Sequence, residues 1–136
     1  MVVKGYTIEP NADLRFANLE GANLQEANLQ EANLRWAILT GANLTRANLR
    51  RANLKGAELY RSSLYRANLE GANLQEANLR KADLYEANLE GADLEGADLR
   101  KADLEGSDLT DAALAGADLR EADLTGANLT GTIIDL

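Results

Sequence analysis

A chain of 136 residues is long enough for one domain. It has no cysteine and no histidine, which excludes disulfides, thiol chemistry and imidazole acid–base catalysis. Its 22 acidic residues outnumber its 14 Lys and Arg, and a net charge of −8 opposes approach to a phosphate backbone.

The first segment, residues 1–11 (MVVKGYTIEPN), reads as an N-terminal cap on the remainder of the chain. Val2, Val3, Tyr6 and Ile8 offer apolar cover, and Pro10 stops a strand-like segment from extending a hydrogen-bonded ladder. The competing reading is a frayed leader.

From Ala12 the chain falls into fives. Leu14, Leu19, Leu24 and every fifth position to Leu129 are leucine, 24 in all without interruption. Two residues before each stands Ala, replaced only at Ser62 and Ser107. Directly before each stands Asn or Asp, except at Ile38, Glu58, Ser63 and Ala113. An α-helix advances about 500° in five residues, a net ~140°, so its leucines would point all round the cylinder and leave no apolar stripe. A flat strand alternates with period two, so an odd spacing sends successive leucines to opposite faces. The remaining solution bends the chain once per repeat. Four bends of about 90° close a square coil with every leucine inside, and coils stack at roughly 4.8 Å. Ala shares the narrow interior because a larger residue would overpack it. Leu34, Leu54, Leu74 and Leu94 are then core positions. All glycines but Gly5 lie two residues after a leucine, which fits a corner with positive φ. Other residues also occupy that position, so not every corner need be of that kind.

This A(N/D)LXX run resembles the pentapeptide-repeat family. The resemblance implies an all-β fold, a right-handed quadrilateral β-helix, here about six coils of four pentapeptides over residues 12–131. It also implies that Leu and the residue two before it point inward. Quinolone-resistance members of that family are acidic, dimeric DNA mimics that bind DNA gyrase.

With four repeats per coil, residues 20 apart form columns. Phe16 then stacks under Trp36, Tyr65 under Tyr85 with Tyr60 on the adjoining side, and Ile38 under Glu58. Departures from the repeat gather here, making Trp36, Ile38, Glu58, Tyr60, Tyr65 and Tyr85 a candidate interaction patch with aromatic anchors. The plainer reading is drift, with aromatic pairs stabilising adjacent rungs. Arg46, Arg50, Arg51, Lys55, Arg61 and Arg66 form a basic belt opposed in that stretch only by Glu58. Further on, Arg80, Arg100 and Arg120 stack beside Lys81 and Lys101. The next sides carry a candidate acidic surface: Asp83, Glu86, Glu90, Asp103, Glu105, Asp108 and Asp123.

Catalysis is poorly served. Ser62 and Ser107 sit at core positions, and no base adjoins any serine. Acids on a smooth convex rod meet no pocket to perturb them. The column Asp83, Asp103, Asp123 suggests a hard cation, but a straight ladder lacks the wrapping loop that completes such a site; solvated charges are the preferred reading. No cofactor is expected. The expected function is a non-enzymatic structural or protein-interaction module working through the outer faces, with a protein partner of unknown identity. The alternative is a DNA mimic whose partner is a DNA-binding protein such as gyrase. Direct nucleic-acid binding is not expected.

Residues 132–136 close the chain. Thr132 and Ile134 keep the register, while Ile133 and Leu136 add apolar surface. This tail either folds over the last coil or leaves an end that pairs with another copy, a homodimer through a solenoid end. Neither a secretory leader nor a transmembrane stretch is evident, so the expected location is the cytoplasm, away from membranes.

Overall fold

The computed structural model describes residues 1–134; Leu136, assigned above to the C-terminal end, lies outside them. The repeats wind as a right-handed quadrilateral β-helix. Every parallel bridge joins a residue to the one 20 positions on, from Asp13↔Asn33 to Ala113↔Ile133. Four repeats therefore make each coil. The leucine column Leu34, Leu54, Leu74 and Leu94 is fully buried, with the alanines beside it. No helix occurs among the described residues, and so none long and apolar enough to cross a membrane.

The backbone of one repeat explains why the pattern is so strict. A buried or half-buried N–H without a partner is costly, so all five must be accounted for. Ala52 N–H closes a turn onto Leu49 O at 3.0 Å. Asn53 N–H reaches down to Ala32 O at 2.9 Å, while Leu54 and Gly56 reach up to Asn73 O and Gln75 O at 2.7 and 2.9 Å. The fifth, Lys55 N–H, donates to the Asn53 side-chain Oδ1 at 3.1 Å. Asn and Asp are therefore structural at this position, as residues that accept from the backbone two positions on. The same bond forms at Asn18, Asn68 and Asp103, for example. It has no counterpart at Ile38, Glu58, Ser63 or Ala113, whose side chains cannot or do not accept it. Ala113→Asn supplies the missing acceptor to Ala115 N–H. We expect a gain of about 0.5–1.5 kcal/mol, read as a rise in Tm of about 2–4 °C.

Positive φ is not confined to the glycine corners. Every corner, from Phe16 to Gly131, has positive φ, whether Gly21 (64°), Glu26 (58°) or Trp36 (58°). With the turn bond from Ala to the preceding Leu, this is the pattern of a type II turn. A non-glycine residue pays about 1–2 kcal/mol there. Leaving the conformation would break the turn bond and the corner N–H bond to the next coil, about 1 kcal/mol each. The ladder therefore holds the corner whatever residue occupies it.

At the N-terminal end β1 (Val2–Val3) and β2 (Tyr6–Thr7) form an antiparallel hairpin. Ile8 is buried, and Val3 and Tyr6 pack against the first coil. The Tyr6 hydroxyl accepts Asn18 N–H at 3.2 Å, a bond that one coil higher, at Ile38, goes down to Ala17 O. Val2 takes no part in covering the core and is 69% exposed. At the other end Leu119 and Leu124 are half-buried, Leu129 is exposed, and Thr132–Ile134 continue the coil without folding over it.

Candidate functional site

Three side chains of each repeat face outward: those just before and just after the leucine, and the corner. The 20-residue stacking assigns each to one of four faces. The six aromatic-patch residues divide between two of them. Ile38, Glu58 and Tyr60 lie on the face built from residues 37–41 and 57–61, with Trp36 at its edge. Tyr65 and Tyr85 lie on the next face, round the Arg61 corner.

Trp36 does not stack on Phe16. Phe16 stays 71% exposed, and the indole leans the other way, over Gly56. A Cβ built on Gly56 would overlap Cζ3, Cε3 and Cη2 of Trp36. Column arithmetic places side chains at the same corner but cannot say which way a ring leans; the glycine above Trp36 was the available signal. Tyr65 and Tyr85 do stack, with centroids 5.6 Å apart and planes 5° from parallel. Arg61 and Arg66 each lie 5.3 Å from the ring centroid of the preceding tyrosine, within cation–π range. Three of the four missing side-chain acceptors, at Ile38, Glu58 and Ser63, fall in this same region. They leave Thr40, Tyr60 and Tyr65 N–H groups without a partner among the described residues.

The basic belt is opposed by more than Glu58. Arg50 pairs with Glu70 at 3.4 Å and Arg66 with Glu86 at 2.6 Å, each from the coil above. Glu86 is thereby committed to Arg66 rather than to the acidic surface, and it also raises the Tyr85 phenol above its ordinary value by its charge. Glu58 accepts from Asn78 Nδ2 at 3.0 Å.

On the acidic side, Asp83, Asp103 and Asp123 share a face with Glu105, while Glu90 and Asp108 lie on the following one. The expected Asp83–Asp103–Asp123 cation column is redrawn: the carboxylates of Asp103, Glu105 and Asp123 come within 4.8 Å of one another, and Asp83 is not among them. Asp103 and Asp123 already accept the backbone N–H of Glu105 and Thr125. Asp108 accepts both the N–H and the hydroxyl of Thr110, which lower its carboxyl, the hydroxyl chiefly.

Pairs two residues apart form a layer that column reasoning missed. Asp13–Arg15, Asp98–Arg100 and Asp118–Arg120 are bidentate, through guanidinium Nε and Nη2. An Asp two positions before an Arg was the legible signal. The Arg120 hydrogen bond, above all, brings the Asp118 carboxyl down to about 2, and Arg100 lowers Asp98 likewise. These pKa values fall below the unfolded value of about 3.9, so their stabilisation is present above it and is lost as pH falls through the folded values. We expect Tm to be flat above pH ~5 and to drop between about pH 4 and 2. The double variant D98N/D118N should flatten that drop in a circular-dichroism pH series.

The rod is not uniformly smooth. Arg80, Arg100, Lys101, Arg120 and Glu121 line a shallow groove of about 230 Å³. Nothing in it resembles a nucleophile–base pair. Ser62 donates to Leu59 O inside the core, and Ser107 is buried with its hydroxyl unpartnered among the described residues.

Comparison with known proteins agrees with this geometry. The family described as pentapeptide repeats matches in eight copies over residues 11–46, 27–64, 62–100 and 97–134. HetL, a pentapeptide-repeat protein involved in heterocyst differentiation regulation from the cyanobacterium Nostoc, is 35% identical. The match covers 95% of this chain and 76% of that one, with a TM-score of 0.53. A second pentapeptide-repeat protein from Nostoc is 43% identical over 63% of this chain and 69% of its own, with a TM-score of 0.60. Trypsin-treated QnrB1, a plasmid-mediated fluoroquinolone resistance protein, is 23% identical over 93% and 70%, with a TM-score of 0.56; that likeness concerns the fold alone. None of the curated proteins matches this chain.

Proposed function

This chain belongs to the pentapeptide-repeat family, and on that footing we propose that it is a non-enzymatic protein-interaction module. Its contact region is centred on Trp36, Ile38, Tyr60 and Tyr65. One observation carries the reading. The side-chain acceptor is given up at four positions along the rod, and three of them, Ile38, Glu58 and Ser63, cluster beside the aromatic residues, with Ala113 alone lying elsewhere. Each lost bond forfeits about 1 kcal/mol. Local stability surrendered at one surface region, beside exposed aromatic and apolar side chains, is what a contact site asks for.

The test is the double variant W36A/Y65A. Neither side chain reaches the leucine core, so the rod should stay folded while a partner isolated with wild-type protein binds at least tenfold more weakly. Unchanged partner binding would sink the reading. A second reading, DNA mimicry, is supported by the acidic faces around Asp103, Glu105 and Asp123, whose field would steer toward a basic DNA-binding surface. It predicts salt-sensitive inhibition of gyrase supercoiling. The interaction module predicts none.

A further inference from the structure

The groove beside Arg80 has no role in either reading. Its floor is a ladder in which two of three arginines are already paired. Arg100 and Arg120 each give Nε and one Nη to the aspartate two residues earlier. The corresponding residue before Arg80 is Asn78. Asn78 still accepts Arg80 N–H through Oδ1, at 3.1 Å, so the backbone is satisfied. It offers no carboxylate to the guanidinium, and its amide nitrogen turns to Glu58. Arg80 makes no ion pair among the described residues, and its Nε is shielded from solvent without a hydrogen-bond partner. On the adjoining corner Lys101 lines the groove, 3.7 Å from Glu121, which lines it too, and Lys81 follows Arg80 in the chain.

We propose that the Arg80 groove is a binding site for a free linear phosphoanion. An unmatched guanidinium, with Arg100 and Arg120 on the same face and Lys101 on the corner beside it, calls for an anion supplied from outside the chain. Several features favour phosphate over a single carboxylate. The cations approach from two columns, and a tetrahedral oxyanion offers oxygens to both. Arg100 and Arg120 spend two N–H donors each on their aspartates, which leaves three of the five uncommitted. Because the cations recur at each rung, a chain of phosphates engages more than one. The acids at the groove are already paired, Asp98 with Arg100, Asp118 with Arg120 and Glu121 with Lys101, and more distant charges are screened within about 10 Å at 0.1 M salt.

Asn78→Asp gives a sharp test. The aspartate keeps the backbone bond, as Asp98 and Asp118 do, and supplies Arg80 with the carboxylate its neighbours already have. Inorganic tripolyphosphate is titrated into the full chain, following arginine Nε–H resonances by NMR at constant ionic strength. The expected result is a saturable shift of the Arg80 signal, tighter for tripolyphosphate than for orthophosphate. Affinity should fall at least tenfold in N78D and in R80Q; R80Q should keep wild-type thermal unfolding, while N78D loses the bond to Glu58 and should remain folded with a slightly lower Tm. No saturable shift in the wild type, equal affinity for the two anions, or undiminished affinity in both variants would overturn the proposal.

Discussion

Leu74→Asp should yield no native protein under conditions where the wild type is fully folded. Leu74 has no exposed surface, and Leu54 and Leu94 lie directly below and above it in the same column. Truncating a buried leucine costs about 2–5 kcal/mol by itself. Burying an ionised carboxylate adds several more, because an interior of leucine and alanine, with Ser62 and Ser107 its only buried polar side chains among the described residues, holds no cation to pair with it. The sum approaches or exceeds the ~5–15 kcal/mol that holds a typical domain together. Position matters too. In a solenoid each coil touches only its neighbours, so a defect in the middle separates two halves that would otherwise support each other. Far-UV circular dichroism and solubility decide the point. Leu74→Met, which nearly conserves volume, is the control and should cost less than about 1.5 kcal/mol. A soluble variant with a wild-type spectrum would mean that the leucine does not face the interior.

Gly56→Ala is expected to cost about 2–3 kcal/mol, and Gly91→Ala only about 1. Both glycines have left-handed φ, 68° and 65°, so both substitutions incur the same backbone strain. They differ in what the new methyl meets. At Gly91 nothing lies within 4 Å, whereas at Gly56 the methyl would enter the indole of Trp36. The ring must swing off the rod, losing its packing on the corner. Urea unfolding of the two variants isolates the difference, and tryptophan emission should move to longer wavelength in G56A alone. Equal destabilisation with unchanged emission would show that Trp36 does not rest on Gly56.

The leucine spacing was enough to specify the coil, because only a chain that bends every five residues can bury a leucine at every fifth position. The stacking of Tyr65 on Tyr85 was legible for the same reason. What escaped were features that depend on how a side chain leans or what it reaches locally. Glutamates and arginines at the corners gave no hint of positive φ, since that conformation is imposed by the bonds between coils and not by the residue's own preference. Trp36 leaning over Gly56 depends on a rotamer. The Arg100 and Arg120 pairs run along the chain, while columns look across it. Arg80 stood out only once its neighbours' partners were known, because its distinction is a carboxylate that Asn78 does not provide.

The uniform offset of 20 between bridged residues has a consequence for how such a rod changes its surface. Deleting or duplicating five residues leaves every leucine inside, since any repeat can follow any other. It also turns everything downstream by a quarter revolution. The arginine ladder on the face of Arg80 would then continue upward from a different face, beside different neighbours, with the interior undisturbed. A change of 20 residues lengthens the rod and keeps each face aligned. Insertions and deletions in this architecture therefore work as a rotary shuffle of ready-made surfaces, a route to new recognition that leaves the hydrophobic interior untouched.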